Sequence, residues 1–137
     1  MIAVSPIVTR ILLVDDNEPD NVFHEAVLRG AGFQGDLRAF EEPEAALEYL
    51  RQLPHGPVCL LLLDINMPGM NGWEFARAAE PLLEDNPTVI LVMLTSSSLP
   101  EDRAQAESEA AVSGYLTKPL TVEVAVRLLS GNWSVPT

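Results

Sequence analysis

The sequence predicts an α/β fold in which five parallel strands alternate with five helices in a doubly wound arrangement. Short apolar runs alternate along the chain with stretches of helical periodicity. This alternation is typical of a parallel sheet with helices on both faces, and right-handed crossovers restrict it to an open three-layer sandwich. The 137 residues, 47% of them hydrophobic, suit one domain with one core. We expect no second output module.

Each predicted strand is a short apolar run that stops at a polar residue or a turn. The runs are RILLV, DLRAF, VCLLLL, TVILVML and SGYLT, in chain order. They predict strands over 10–14, 36–40, 58–63, 88–94 and 113–117.

The predicted helices lie between the strands, where apolar residues recur every three or four positions. They cover 20–31 (Val22, Ala26 and Val27 on one face), 43–53 (Ala46, Leu47, Leu50), 72–83 (Trp73, Phe75), the alanine-rich 100–112, and 121–129 (Val124, Leu128). Pro43 suits a first helical turn, Asn71 and Thr121 suit N-caps, and Pro81 is expected to kink or shorten its helix. The core is expected over about 10–130, with loose ends at 1–8 and 132–137.

Charge and cysteine content limit the possible partners and compartment. Eight Lys and Arg residues against 20 Asp and Glu give a net charge of -12, which argues against a nucleic acid or a membrane surface as a partner. The single cysteine, Cys59, cannot form an internal disulfide, which favours a reducing compartment. With neither a secretory signal nor a run approaching the roughly 18 apolar residues of a membrane span, we expect a cytoplasmic protein.

Five polar side chains stand where four of the apolar runs stop. Asp15 and Asp16 follow ILLV, Asp64 follows VCLLLL, Thr95 follows VILVML, and Lys118 follows GYLT. The carboxyl ends of parallel strands share one edge of a sheet, where open α/β folds bind ligands. Alone, each residue has an ordinary explanation as a helix cap or turn former. Together they predict one small polar site.

The two histidines are expected to take no part in this site. His24 lies on the first predicted helix and is interpreted as a surface or boundary side chain. His55 stands between Pro54 and Gly56 and is expected in a loop. Neither is predicted to bind a metal.

Four strings in register identify a resemblance. ILLVDDNEPDN, LLLLDINMPGMNGWEF, MLTSS and GYLTKPLT resemble, in order and spacing, the motifs of response-regulator receiver domains from two-component systems. The resemblance runs from about residue 10 to residue 129 and is nearest to stand-alone receivers. It implies a flavodoxin-like sheet of order 2-1-3-4-5 with five helices.

Phosphoryl transfer requires a nucleophile and a cation that offsets charge. Asp64 can be the nucleophile, since a carboxylate can form an acyl phosphate. Asp16 and Asp64 would bind one divalent cation with the backbone carbonyl of Asn66, and Asp15 would act directly or through water. Mg2+ fits, because it favours a few carboxylates with water and phosphate oxygens. Asp64 is thus the predicted phosphoacceptor.

Donors to the phosphoryl oxygens and a switch complete the predicted site. Lys118 and Thr95 can contact two phosphoryl oxygens. The resemblance implies a cis bond before Pro119 that turns the lysine into the site. It also implies that phosphorylation of Asp64 draws the Thr95 hydroxyl inward and lets Tyr115 rotate in, which changes the face of the fourth helix, fifth strand and fifth helix.

Three functions of different classes remain open from the sequence. The first is a regulatory switch that takes its phosphoryl group from a phosphohistidine of a sensor kinase or phosphotransfer protein and acts on an unknown downstream protein. The second is a Mg2+-dependent phosphohydrolase, but the position two residues after the nucleophile is Asn66, a poor acid or base. The third is a nucleotide- or flavin-binding module, which the acids and the absence of a glycine-rich loop after the first strand oppose.

Overall fold

The computed structural model describes residues 7–97 and 99–133 and contains ten regular elements. In chain order they are β1 (Val8–Val14), α1 (Glu18–Gly30), β2 (Asp36–Phe40), α2 (Pro43–Gln52), β3 (Val58–Leu63), α3 (Gly72–Asp85), β4 (Val89–Thr95), α4 (Pro100–Ser108), β5 (Val112–Thr117) and α5 (Val122–Leu129).

The five strands form one parallel sheet of order β2-β1-β3-β4-β5. α1 and α5 contact each other, as do α2 and α3, while α4 packs beside β5. Two apolar clusters fill the molecule, one centred on α2 and α3 and the other on α1 and α5. The predicted doubly wound, three-layer α/β fold and its strand order are therefore confirmed.

Most predicted helix starts are confirmed, and the predicted shortening of α3 at Pro81 does not occur. Asn71 accepts a hydrogen bond from the Glu74 N–H and forms a capping box, and Thr121 caps α5. Pro43 opens α2. Pro81 does not shorten α3, which continues to Asp85, and the partly buried Leu82 and Leu83 beyond the proline pack against the α2–α3 cluster.

The buried face of α1 differs from the predicted one. Val22 is 63% exposed, whereas Asn21, His24 and Leu28 are buried. The Asn21 amide donates to the Asp15 backbone carbonyl at 2.9 Å, which offsets the cost of burying a polar side chain. Apolar spacing alone could not identify a face on which polar residues are buried through hydrogen bonds.

The end of α4 and the predicted loose ends differ most from the prediction, while the other boundaries differ by no more than two residues. α4 ends at Ser108 rather than at residue 112, because the chain turns at Glu109 and Val112 already begins β5. Val8 is buried in β1, and Trp133 packs against the α1–α5 cluster, so neither belongs to a loose end. Ile7 and Asn132 are exposed, and residues 1–6 and 134–137 lie outside the described residues. No helix among the described residues is long and apolar enough to cross a membrane.

Candidate functional site

The predicted site residues lie at the carboxyl edge of the sheet because the strand hydrogen bonds continue one step beyond the strands. Asp15 and Asp64 directly follow β1 and β3, Thr95 ends β4, and Lys118 directly follows β5. Their backbone N–H groups are held by neighbouring strands: Asp15 N–H donates to Phe40 O (3.0 Å), Asp64 N–H to Val14 O (3.0 Å) and Lys118 N–H to Thr95 O (2.8 Å). The sheet therefore fixes the spacing of the site.

Three carboxylates form a compact cluster at this edge. One oxygen each of Asp15, Asp16 and Asp64 lies within 4.8 Å of the others. Asp15 and Asp64 are buried, whereas Asp16 is exposed. Local backbone bonds orient the buried pair, since Asp15 Oδ1 accepts the Asn17 N–H and Asp64 Oδ1 the Ile65 N–H, both at 2.9 Å. The three acids predicted to hold a cation are thus brought together.

The Lys118 ammonium reaches the same carboxylates from the end of β5. Its Nζ lies 2.8 Å from Asp15 Oδ2, 2.8 Å from Asp20 Oδ2 and 3.8 Å from Asp64 Oδ1. The peptide bond between Lys118 and Pro119 is cis, the isomer that the resemblance implies. Asp20, on the first turn of α1, is a site residue that sequence reasoning missed. It ends no apolar run, so only the fold reveals its position beside the lysine.

Burial and charge shift the pKa values of Asp64 and Lys118. Burial raises the pKa of Asp64, and Asp15 adds to this, while Lys118 and the hydrogen bond with Thr95 oppose it. Burial alone would lower the pKa of Lys118, but hydrogen bonds to Asp15 and Asp20 and the charges of Asp15 and Asp64 raise it overall. Lys118 therefore stays cationic in its buried position, and the ionised Asp64 is poorly solvated.

Ser97, two residues after Thr95, joins three elements. Its N–H donates to the Thr95 hydroxyl oxygen at 3.3 Å, and its carbonyl accepts the Tyr115 hydroxyl at 2.8 Å. Its own hydroxyl donates in a short hydrogen bond to the Asp102 carboxylate on the first turn of α4. Ser97 thus connects the end of β4 with the Tyr115 side chain on β5 and with the first turn of α4.

Tyr115 lies in an inward position in this structure. The residue is 7% exposed, it belongs to the α2–α3 cluster, and the Arg103 guanidinium lies 5.0 Å from its ring centroid. Burial raises the pKa of its hydroxyl. The aromatic predicted to rotate inward is therefore already hydrogen-bonded to Ser97.

His24 lies closer to the site than predicted. It is 3% exposed, and its pKa is lowered first by burial and then by the positive charge of Lys118, against the opposing charges of Asp20 and Asp15. The expectation of a surface or boundary residue far from the site is wrong, because His24 shares the buried stripe of α1. His55 is exposed between α2 and β3, as predicted.

The segment between β3 and α3 adds Asn66, which is exposed two residues after Asp64. Gly72 begins α3 and lets the helix approach the strand end, since a Cβ at this position would lie 2.5 Å from the Asp64 carbonyl oxygen. The Gly72 N–H donates to Ile65 O at 2.8 Å. This close contact holds the loop that carries Asn66 beside the acids.

The donor set suits a hard divalent cation. Carboxylate oxygens are the ligands that Mg2+ prefers, and it retains several waters beside them. Asp15 and Asp64 are buried close together, and the charge of Asp15 adds to burial in raising the pKa of Asp64. A cation among Asp15, Asp16 and Asp64 would offset this repulsion.

An open parallel sheet of this order, with three acids, a threonine and a lysine at its carboxyl edge, defines a receiver domain. The family model described as "Response regulator receiver domain" matches residues 11–129. The chain belongs to the response regulator receiver domain family.

Curated relatives agree with this assignment. The response regulator PleD of Caulobacter vibrioides is 35% identical over 114 residues, which cover 81% of this chain and 23% of PleD. The chemotaxis protein CheY of Pseudomonas aeruginosa is 32% identical over 117 residues, which cover 84% of this chain and 88% of CheY. The chain therefore spans about a quarter of one relative and most of the other.

Solved structures share the fold. A response regulator receiver protein from Dyadobacter fermentans is 29% identical, has a TM-score of 0.82, and the match covers 92% of this chain and 98% of that protein. The Saccharomyces cerevisiae Ssk1 receiver domain, crystallised with the histidine phosphotransfer signalling protein Ypd1, gives a TM-score of 0.75 at 22% identity, with 96% and 92% of the chains covered. At that identity the likeness concerns the fold.

Proposed function

We propose that this chain is a phosphorylation-dependent signalling switch whose phosphoacceptor is Asp64. The observation that carries the proposal is the convergence of the Asp15, Asp16 and Asp64 carboxylates within 4.8 Å, with Lys118 Nζ 3.8 Å from Asp64 Oδ1. A nucleophile, a cation site and a fixed positive charge are what phosphoryl transfer asks of a protein.

The donor is a phosphohistidine on a sensor kinase or a phosphotransfer protein. The N–P bond breaks as an Asp64 oxygen forms the new P–O bond, and the released imidazole nitrogen takes up a proton from solvent. The Ypd1 complex of a protein with this fold supports a phosphotransfer partner. The chain would act as a regulator that catalyses only its own phosphorylation and dephosphorylation.

The site residues then divide the work of phosphoryl transfer. Asp16, Asp64 and the Asn66 carbonyl would hold Mg2+, with Asp15 acting directly or through water. When bound, Mg2+ would offset negative charge on the phosphoryl group during transfer. Lys118 donates to one phosphoryl oxygen.

Thr95 donates to a second phosphoryl oxygen, and this contact starts the switch. The Thr95 hydroxyl now interacts with Asp64 and accepts the Ser97 N–H, so its movement toward a phosphoryl group pulls on Ser97. Ser97 also contacts Tyr115 and Asp102. Phosphorylation would thereby alter the face of α4, β5 and α5, where an as yet unnamed protein target binds.

The two other functions have weaker support. The common phosphohydrolase arrangement has a second acid two residues after the nucleophile, and here that position is the exposed Asn66, a poor acid or base. A nucleotide- or flavin-binding module would place phosphate against three carboxylates.

A reducing cytoplasmic setting suits a chain whose single cysteine, Cys59, is a buried free thiol.

The test uses acetyl phosphate as the donor, with excess Mg2+. Wild type is expected to gain one phosphoryl group, measured by intact mass, that hydroxylamine removes, as an acyl phosphate requires. Asp64→Asn should gain none, while the control Asp85→Asn, at an 89% exposed acid at the end of α3, should behave as wild type. Equal labelling of Asp64→Asn and wild type would show that another residue is the acceptor.

A further inference from the structure

Lys118 has an additional carboxylate partner that the strand ends do not supply. Asp20 Oδ2 lies 2.8 Å from Lys118 Nζ, as close as Asp15 Oδ2. Asp20 is separated from the lysine by 98 positions in sequence, and its side chain is 41% exposed. This ion pair ties the first turn of α1 to the end of β5.

The ammonium keeps one donor for the acceptor side of the site. A lysine ammonium has three N–H donors, and two of them are used by Asp15 and Asp20. The 3.8 Å between Nζ and Asp64 Oδ1 is longer than a hydrogen bond. The third donor can therefore reach an oxygen of a group bound to Asp64 while the other two stay in place.

Asp15 has competing tasks, and Asp20 has only one. Asp15 Oδ1 accepts the Asn17 N–H, Oδ2 accepts Lys118, and the same carboxylate belongs to the three-acid cluster. A divalent cation among the acids would attract Asp15 and repel the lysine. Asp20 is not one of the three acids whose oxygens lie within 4.8 Å of one another, so it can continue to hold Lys118 when a cation is bound.

We propose that Asp20 is a positioning residue for phosphoryl transfer, which holds the Lys118 ammonium at the rim of the site with one N–H directed toward Asp64. This inference rests on the proposed function of Asp64 as phosphoacceptor. It predicts that loss of the Asp20 carboxylate slows phosphoryl transfer, and that this effect requires Lys118.

The first experiment compares Asp20→Asn with Glu18→Gln. Both remove one acid from the first turn of α1, but only Asp20 contacts Lys118. Phosphorylation rates are measured over a range of acetyl phosphate concentrations, with each variant at the same fractional saturation by Mg2+. Asp20→Asn should lower the maximal rate about three- to tenfold, Glu18→Gln should match wild type, and Asp20→Glu should restore most of the loss.

A double-mutant cycle tests whether the effect passes through the lysine. In a Lys118→Met background, Asp20→Asn should cause no further change in the phosphorylation rate, because there is no ammonium left to position. An equal loss in the two backgrounds would overturn the proposal. A faster rate in Asp20→Asn alone would also overturn it, since Asp20 would then compete for the lysine.

A second readout needs no phosphorylation. Lys118 is the only lysine in the sequence, so acetylation of side-chain amines by a pulse of acetic anhydride reports on this residue alone. In metal-free protein, Asp20→Asn should speed Lys118 acetylation about threefold or more, while Glu18→Gln leaves it unchanged. Equal acetylation rates in Asp20→Asn and Glu18→Gln would contradict the proposal that Asp20 holds the Lys118 ammonium. Failure of wild type to be phosphorylated would instead refute the proposed function.

Discussion

β3 and α4 differ strongly in how much of each is buried. Five of the six residues of β3 are buried, and the strand lies at the centre of the sheet between β1 and β4. Of the nine residues of α4, Ala106 alone is buried, and the helix packs beside the edge strand β5. Asp64, the proposed phosphoacceptor, directly follows the first element, and the Ser97 hydroxyl is hydrogen-bonded to Asp102 on the second.

The difference in burial suits the two elements to the roles proposed for them, in which β3 positions Asp64 and α4 responds to phosphorylation. A strand with apolar contacts on both faces holds the backbone of Asp64 in a fixed position. Group transfer requires such precise placement of the reacting group. A helix with one buried side chain has little apolar burial to lose when it moves, so it belongs to the less stable part of the fold. We therefore expect the pull on Ser97 that the proposed switch requires to move α4 more readily than β3.

The largest expected contrast is in the free energy of unfolding. Leu61→Ala on β3, at a fully buried position, should lower the unfolding free energy by about 2–5 kcal/mol. Ala106→Gly on α4 should lower it by only about 1–2 kcal/mol, from lost helix propensity and a buried methyl group. Urea unfolding with unchanged m-values measures both. Equal losses would mean that α4 is as firmly packed as β3.

Thiol labelling compares local opening of the two elements. Burial raises the pKa of the Cys59 thiol on β3 to about 12, so it should react only when the strand opens. An Ala106→Cys variant carries both thiols in one molecule, and mass spectrometry separates the two peptides. Each labelling rate is divided by the rate for the same thiol in denatured protein. The corrected rate for the thiol introduced at position 106 should be at least about tenfold higher than that for Cys59. Slower labelling at 106 would reverse the comparison.

The ionised Asp64 should cost stability when no cation is present. Its folded-state pKa is raised above 3.8, mainly by burial, so the cost is complete above the raised pKa and vanishes below pH 3.8. In chelator at pH 7, Asp64→Asn should therefore be more stable than wild type, because the amide brings no charge into the buried position. Thermal unfolding across this pH range measures the difference, and excess Mg2+ should stabilise wild type preferentially. A pH-independent difference would exclude this origin.

The smallest expected effect concerns the link to α4. Tyr115→Phe removes the hydroxyl that donates to Ser97 O, worth about 0.5–1.5 kcal/mol, and leaves the site acids untouched. The phosphorylation rate should stay within about twofold of wild type, while the change in α4 amide exchange on phosphorylation should shrink. The control is Tyr49→Phe on α2, whose ring contacts Phe40. An undiminished α4 response would exclude the hydroxyl from the switch.

The sequence allowed most of the fold to be predicted, because buried parallel strands are continuous apolar runs. The run VCLLLL gave β3 with both of its bounds, 58 and 63. α4 was predicted four residues too long, because its alanine-rich sequence has no strong apolar stripe to mark an end. On α1 the apolar pattern indicated Val22, whereas hydrogen bonding and packing buried Asn21 and His24.

The site was predicted to the extent that its residues follow strands. Asp15, Asp64 and Lys118 directly follow an apolar run, and the sheet brings them together. Asp20 and Asp102 lie on first turns of helices, where acids are common for reasons of the helix dipole alone. Nothing in the local sequence distinguishes those two from other first-turn acids.

The amino-acid sequence by itself determined the strands, their common edge and the acids at that edge, because strand burial and side-chain order are encoded within a few neighbouring residues. Only the tertiary structure decided that Lys118 bonds to Asp20 and that Tyr115 bonds to Ser97. Those pairs depend on helix orientation and on side-chain distances between segments far apart in the chain. A hydrogen bond forms or fails within a few tenths of an ångström, and no local pattern carries that information.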